Sequence, residues 1–358
     1  MTEEPIRIGI IGAGKNTRDR HVPGLLAQSG VEIVAVANRS LESSRKAAEA
    51  LGPQVRPAAD WTEVLDMDDV DAVCIGTWPY MHAPITIDAL DAGKHVLCEA
   101  RMAMDSLEAK EMLAASRRNP SLVAQIVPAP HTLAFDRTII EMIAAGDVGE
   151  VIALDARVAA GSDFPDGSAP VHWRQDRDLS GNNVMAMGIW YEAMMRWVGP
   201  AASVFAVGQS VVRHRLDDNG RRVPMTIPDH LDIVGRLETG GQMRFNITSV
   251  VGHAPLQADV FIFGTDGTLR LTLDKAGKMK LEAGRRGGSG LAEVQVDPAK
   301  RGGWRVEEEF INAIRGTEPV THTDFVTGVK YMEWTDAVAQ SLRHGVAVKL
   351  PLVEAKGG

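Results

Sequence analysis

Cysteine is nearly absent: the 358 residues contain two, Cys74 and Cys98. Two thiols build neither a disulfide framework nor, alone, a thiolate zinc site, and both lie in apolar runs, where buried reduced thiols are expected. Aromatic residues are scarce, at 5%. Positive charge is in deficit, with 38 Lys and Arg against 47 Asp and Glu, for a net charge of −9. A surface of that sign repels phosphate backbones and argues against nucleic acid as a partner. No apolar run reaches the roughly 18–20 residues that span a bilayer, so no membrane role is expected. The opening Met1-Thr2-Glu3-Glu4-Pro5 has neither the basic head nor the apolar stretch of a signal peptide, which gives a cytoplasmic expectation. There is no HExxH, no cysteine-pair spacing and no EF-hand loop, so no metal is expected; Asp229-His230-Leu231-Asp232 reads as a solvated strand edge. The serine elbow G-x-S-x-G, internal repeats and low-complexity segments are also missing.

What remains is an ordinary globular balance, 45% hydrophobic and 24% charged, in a length that suits two domains. Up to about residue 125, short apolar runs alternate with amphipathic stretches. Strands are expected over 6–11, 32–37, 72–75 and 95–98, and helices over 21–28, 41–51 and 84–92. Such alternation implies βαβ units and a doubly wound parallel sheet, an α/β domain over 1–127. Beyond it, a helix over 138–145 gives way to β-like runs at 151–159, 202–212, 230–237, 242–249 and 258–263, separated by glycine turns. Strands without intervening helices suggest an α+β domain over 128–358 with an open, mostly antiparallel sheet. Helices are expected at 184–198, 307–315 and 325–344, and loops at 161–170 and 284–290.

Gly12-Ala13-Gly14-Lys15-Asn16-Thr17 follows the first strand directly. Gly12 permits a tight turn, and Gly14 lets the backbone approach a pyrophosphate at a helix N-terminus; Thr17 stands where a third glycine is usual. After the second strand the sequence reads Asn38-Arg39-Ser40, with no carboxylate to accept from a ribose 2′-hydroxyl. Arg39 and Ser40 can instead donate to a phosphate, which favours NADP over NAD.

The run from His82 to Arg101, HAPITIDALDAGKHVLCEAR, together with the glycine turn, resembles the Gfo/Idh/MocA family of NAD(P)-dependent oxidoreductases. Gly146-Asp-Val-Gly149-Glu150, Trp173-Arg174, Ser180-Gly181 and Phe263-Gly-Thr-Asp-Gly-Thr268 extend the likeness over nearly the whole chain. The resemblance implies a Rossmann domain, and a second sheet that packs into homodimers or homotetramers. It also implies a lysine after the fifth strand and an aspartate and a histidine four apart on a helix. The matching positions hold Ala100, with Glu99 kept before it and Arg101 after, then Ala186 and Trp190 about Gly188. All three customary groups are therefore missing.

Reversible hydride transfer also moves a proton, and a positioned acid or base contributes about 10²–10⁴ in rate. The candidates for that work are Tyr191, His131, His172 and Arg101. Arg101 is a poor base but could bind a carboxylate or polarise a carbonyl. Trp173, Arg174, Trp190 and Glu192 join it as substrate-binding candidates. Thr77, Trp78, Pro79 and His82 lie in the loop that passes the dinucleotide in this family, with Trp78 and Tyr80 offering flat faces for a ring. These and Gly12, Gly14, Lys15, Asn16, Thr17, Asn38, Arg39, Ser40, Glu99 and Ala100 form the expected cofactor set. The resulting expectation is an enzyme passing hydride to or from a sugar, cyclic polyol or related hydroxy or keto compound. Two alternatives stand beside it: a lyase or hydrolase that oxidises its substrate transiently with tightly bound NAD(P), and a catalytically silent binder acting through a partner.

Overall fold

In the computed structural model, which describes residues 4–353, the chain forms two compact units. The first comprises Met1–Pro128 together with Arg305–Met332; the second comprises Ala129–Trp304 and Glu333–Gly358. The linear division at 127/128 assigns 305–332 to the second domain, whereas in the structure that segment packs with the first. Its contacts are long-range, and no local pattern announces them.

Six parallel strands make the sheet of the first unit: β1 (Ile6–Ile11), β2 (Val31–Ala37), β3 (Arg56–Ala58), β4 (Ala72–Ile75), β5 (His95–Cys98) and β6 (Ala124–Ile126). Their order is β3-β2-β1-β4-β5-β6. Strands buried on both faces read as continuous apolar runs, as IRIGII and VEIVAVA do. Helices Leu41–Leu51, His82–Asp91 and Ser106–Arg118 connect them. The last of these was not anticipated. Its buried side is small (Ser106, Ala109, Met112, Ala115), so its apolar stripe is faint, and Asp105 caps it by accepting from Glu108 N–H. The expected helix over 21–28 begins differently: one π-helical turn, Thr17–His21, runs into Val22–Leu26. The wide turn buries both Thr17 and His21.

The returning segment completes this unit. Helix Val306–Ile314 brings Glu307 inward, and the Tyr331 hydroxyl accepts from Met102 N–H. Gln125 of β6 donates to Glu309 and to the His322 carbonyl, and Ile126 N–H to the Thr323 carbonyl. An otherwise open sheet edge is thereby covered.

The second unit holds a nine-stranded sheet built from β7 (Val151–Val158), β8 (Ala201–Gln209), β11 (His230–Leu237), β12 (Gln242–Thr248), β13 (Ala258–Gly264), β14 (Gly267–Leu273), β15 (Met279–Arg285), β16 (Ala292–Glu293) and β17 (Val348–Lys349). A separate hairpin pairs β9 (His214–Leu216) with β10 (Arg222–Pro224). The sheet order is β16-β15-β14-β13-β7-β12-β11-β8-β17; every pair is antiparallel except β7 with β12. The expected 284–290 loop starts inside β15. One face carries Leu154, Ala156, Ile233, Phe245, Val260 and Leu271, all buried. Helix Met187–Val198 and the later part of Phe325–His344 add Tyr191 and Trp334, whose rings stack at 4.0 Å.

Candidate functional site

The turn after β1 is fixed by contacts that only glycine allows. Gly12 has φ +89°, and a Cβ there would lie 2.7 Å from the backbone of Gly76 and Thr77 at the end of β4. Gly14 is different: a Cβ on it would meet nothing nearer than the Gly76 carbonyl at 3.6 Å, so the side facing outward is open. The side chain of Asn38, at the end of β2, accepts from Ala13 N–H at 2.8 Å and holds the turn. Ser40 caps helix Leu41–Leu51 reciprocally with Ser43.

These strand ends border a cleft of about 460 Å³ that includes Gly12, Gly14, Asn38, Arg39, Thr77 and Trp78 in its wall. The Arg39 guanidinium lies 5.7 Å from the centre of the Trp78 ring. The order of the sheet reverses between β1 and β4, and a crevice at the carboxyl ends of strands flanking such a reversal is where doubly wound sheets bind dinucleotides. The open backbone at Gly14, the cation at Arg39 and the flat face of Trp78 fit a dinucleotide.

Several expected cofactor residues lie outside the wall of this cleft. Thr17 is buried, its hydroxyl donating to the Gly12 carbonyl and filling the space a side chain at Gly76 would need. Lys15 points to solvent and pairs with Asp19. Buried His82 has one ring nitrogen 2.8 Å from the Arg101 carbonyl and the other 3.0 Å from the Thr77 carbonyl, tying together the loops after β5 and β4. Burial lowers its pKa, and a neutral ring donates to only one of them. Pro79 is buried, and Ala100 follows β5 with its N–H donating to Glu99.

Glu99 belongs to a network that sequence reasoning missed. His21, fully buried, has Nε2 2.9 Å from Glu99 and Nδ1 2.6 Å from Glu307. Asn16 also donates to Glu99. Burial alone would lower the His21 pKa, but the two carboxylates outweigh it and raise the value to about 9. Burial likewise opposes ionisation of Glu99, yet His21 and Asn16 leave its pKa lowered. The three groups are thus a buried imidazolium between two carboxylates. Gly24 admits Glu307, since a Cβ there would come within 2.6 Å of its carboxylate.

In the second unit, two expected site residues are buried. Tyr191 is 2% exposed, stacked on Trp334, and its hydroxyl accepts from Ala201 N–H at 2.8 Å. Burial raises its pKa further, and the ring lies in the core of this unit. Glu192 is also buried; it accepts from Ala129 N–H at 2.7 Å and lies 3.8 Å from Arg196, so its carboxylate supports the chain entering this unit. Trp190 is buried as well, and His131, which is exposed, stacks on it at 4.7 Å with an interplanar angle of 12°. His172 is exposed and caps the turn Trp173–Gln175, accepting from Arg174 N–H. The Arg174 guanidinium covers the Trp173 ring at 4.2 Å. In the first unit Arg101 is buried, at 1% exposure.

Comparison with known proteins agrees with this arrangement. Residues 6–125 match the model of an oxidoreductase family with an NAD-binding Rossmann fold, and residues 137–270 that of the GFO/IDH/MocA C-terminal domain. The chain belongs to the Gfo/Idh/MocA family of oxidoreductases. It is 25% identical over 348 residues, 95% of this chain and 99% of the other, to a dTDP-3,4-didehydro-2,6-dideoxy-alpha-D-glucose 3-reductase of Streptomyces antibioticus. It is 35% identical over 186 residues, about half of each chain, to a 1,5-anhydro-D-fructose reductase of Ensifer adhaerens. In fold it is similar to levoglucosan dehydrogenase solved with NADH and L-sorbose, with a TM-score of 0.82, 21% identity, and 97% and 99% of the two chains covered.

Proposed function

We propose that this protein is an NADP(H)-dependent dehydrogenase or reductase of a sugar or related cyclic polyol, with His131 as its acid/base group. When bound, the nicotinamide dinucleotide supplies or takes the hydride. The observation that carries the reading is the stack of His131 on Trp190. Trp190 stands where the family's helix motif has its histidine, and the exposed imidazole on its face returns a titratable ring to that neighbourhood. His131 then holds or releases the proton of the substrate hydroxyl. Trp173, with the Arg174 guanidinium on one side, offers an apolar plate of the kind on which sugar rings stack. Arg39 and Ser40, with no carboxylate at the end of β2, support NADP over NAD. Relatives acting on a deoxy-glucose nucleotide and on anhydrofructose support the sugar class. Buried free thiols at Cys74 and Cys98 accord with a cytoplasmic setting, and the outer face of the second sheet is the surface for a homodimer or homotetramer.

Tryptophan fluorescence titrations with NADPH and NADH test the cofactor; failure to bind both overturns the proposal. Absorbance at 340 nm over a panel of sugars, inositols and cyclic ketones tests turnover. His131→Asn should then lower kcat by about 10² while leaving the NADPH dissociation constant unchanged. An unchanged kcat removes His131 from the chemistry.

A further inference from the structure

The His21 network is out of proportion to a structural need. Burying two carboxylates and an imidazolium costs desolvation that an apolar trio would avoid. Of the three, Glu307 and His21 are sealed, with side chains 3% and 0% exposed, but Glu99 is 14% exposed. The charges sum to one net negative, and Glu99 is where that charge meets solvent. Its place is set by topology. Arg39, at the end of β2, lies on the adenosine side of the reversal between β1 and β4; Glu99, at the end of β5, lies on the other side, where the nicotinamide half of a dinucleotide would extend. A carboxylate is a poor neighbour for phosphate but a good one for a ring that carries a positive charge when oxidised and none when reduced.

We propose that His21 is a positioning residue that holds Glu99 as a fixed anion against the nicotinamide half of the bound dinucleotide, and that this anion biases the site toward the oxidised cofactor. The inference rests on the reading of the cleft as a dinucleotide site. The clamp is built for the task. Both imidazole nitrogens are engaged, so the ring cannot turn. Asn16 adds a second donor to the same carboxylate oxygen, and the other oxygen takes Ala100 N–H at 3.1 Å. Of the neighbouring groups, Lys15 pairs with Asp19 in solvent, Cys74 is a buried neutral thiol, and Arg101, two residues on, is a buried guanidinium.

The test is a ratio of equilibrium constants, read by tryptophan fluorescence on the full chain with NADP⁺ and NADPH and independent of turnover. Glu99→Gln keeps the shape and removes the charge. It should weaken NADP⁺ relative to NADPH by about five- to tenfold, with binding of NADPH nearly unchanged. His21→Gln removes the cation: where one carboxylate takes up a proton the net charge stays at −1, and where both stay ionised it becomes −2, so the preference for NADP⁺ over NADPH should rise from pH 6 to pH 8, a dependence that the unsubstituted protein should not show. If Glu99→Gln does not fold, Glu99→Asp, which withdraws the charge by one methylene, should shift the ratio in the same direction by about two- to threefold. A ratio unchanged in the folded variants overturns the proposal. Failure of the unsubstituted protein to bind any of NADP⁺, NADPH, NAD⁺ and NADH overturns the dinucleotide reading itself, a different result.

Discussion

Under the proposed preference for NADP, Arg39 is the residue on which the choice between the two dinucleotides would turn. Its guanidinium is exposed beside the cleft, steadied by the Trp78 ring. Arg39→Asp replaces a donor for a 2′-phosphate with an acceptor for a 2′-hydroxyl, and should reverse the ratio of NADPH to NADH affinities by about 10² or more; an unaltered ratio would remove Arg39 from the selection. His21 carries the pH dependence of stability. Its folded pKa, about 9, lies above the roughly 6.5 of an unfolded chain. The stabilisation is therefore full below about pH 6.5 and lost as pH rises to about 9, a change of up to about 3 kcal/mol. Urea unfolding at pH 6 and pH 9.5 should show that loss, and His21→Gln should flatten it. Nothing local marked this residue. The turn at Gly12 and Gly14 could be read from the sequence because it follows β1 directly. His21 could not, because its partners lie 78 and 286 residues along the chain. The setting of Tyr191 was hidden for a related reason: a polar tip on a helix is visible in sequence, but the Ala201 N–H that the hydroxyl accepts from is not.

Among the elements, helix Leu133–Ala144 is pinned to helix Met187–Val198 by one buried carboxylate. Asp136 accepts from Trp197 Nε1 at 2.7 Å and lies 3.4 Å from Arg196. Asp136→Ala leaves an indole N–H and a mostly buried guanidinium without that partner, and should cost about 3 kcal/mol, seen as a lowered denaturation midpoint with an unchanged slope. Element type was legible wherever the apolar period was strong, as in β1, β2 and Phe325–His344. Where the period was weak, as in Ser106–Arg118, or where alternation was shared with polar residues, as in β14 and β15, tertiary pairing decided and the sequence alone was silent.

At the scale of the whole molecule, the outer face of the second sheet is the open question that charge and exposure address. Val207 and Val234 stand 61% and 47% exposed on neighbouring strands, with Asp155 paired to Arg244 close by. Single exposed valines are unremarkable; adjacent ones on a wide sheet suit a second copy. Val234→Glu should shift the species seen by light scattering toward the monomer. An unshifted mass would send the oligomer surface elsewhere.

The return of residues 305–332 to the first unit has a consequence for how the protein is made. The stretch up to Pro128 is translated well before Arg305–Met332, and the nucleotide-binding unit stays unfinished until that later segment has been made. Until then His21 lacks one of its two carboxylates and β6 has a bare edge. Translation that stops near residue 300 therefore yields a product whose amino-terminal half is exposed to proteases and open to strand pairing with other nascent chains, and cellular quality control should recognise it there first.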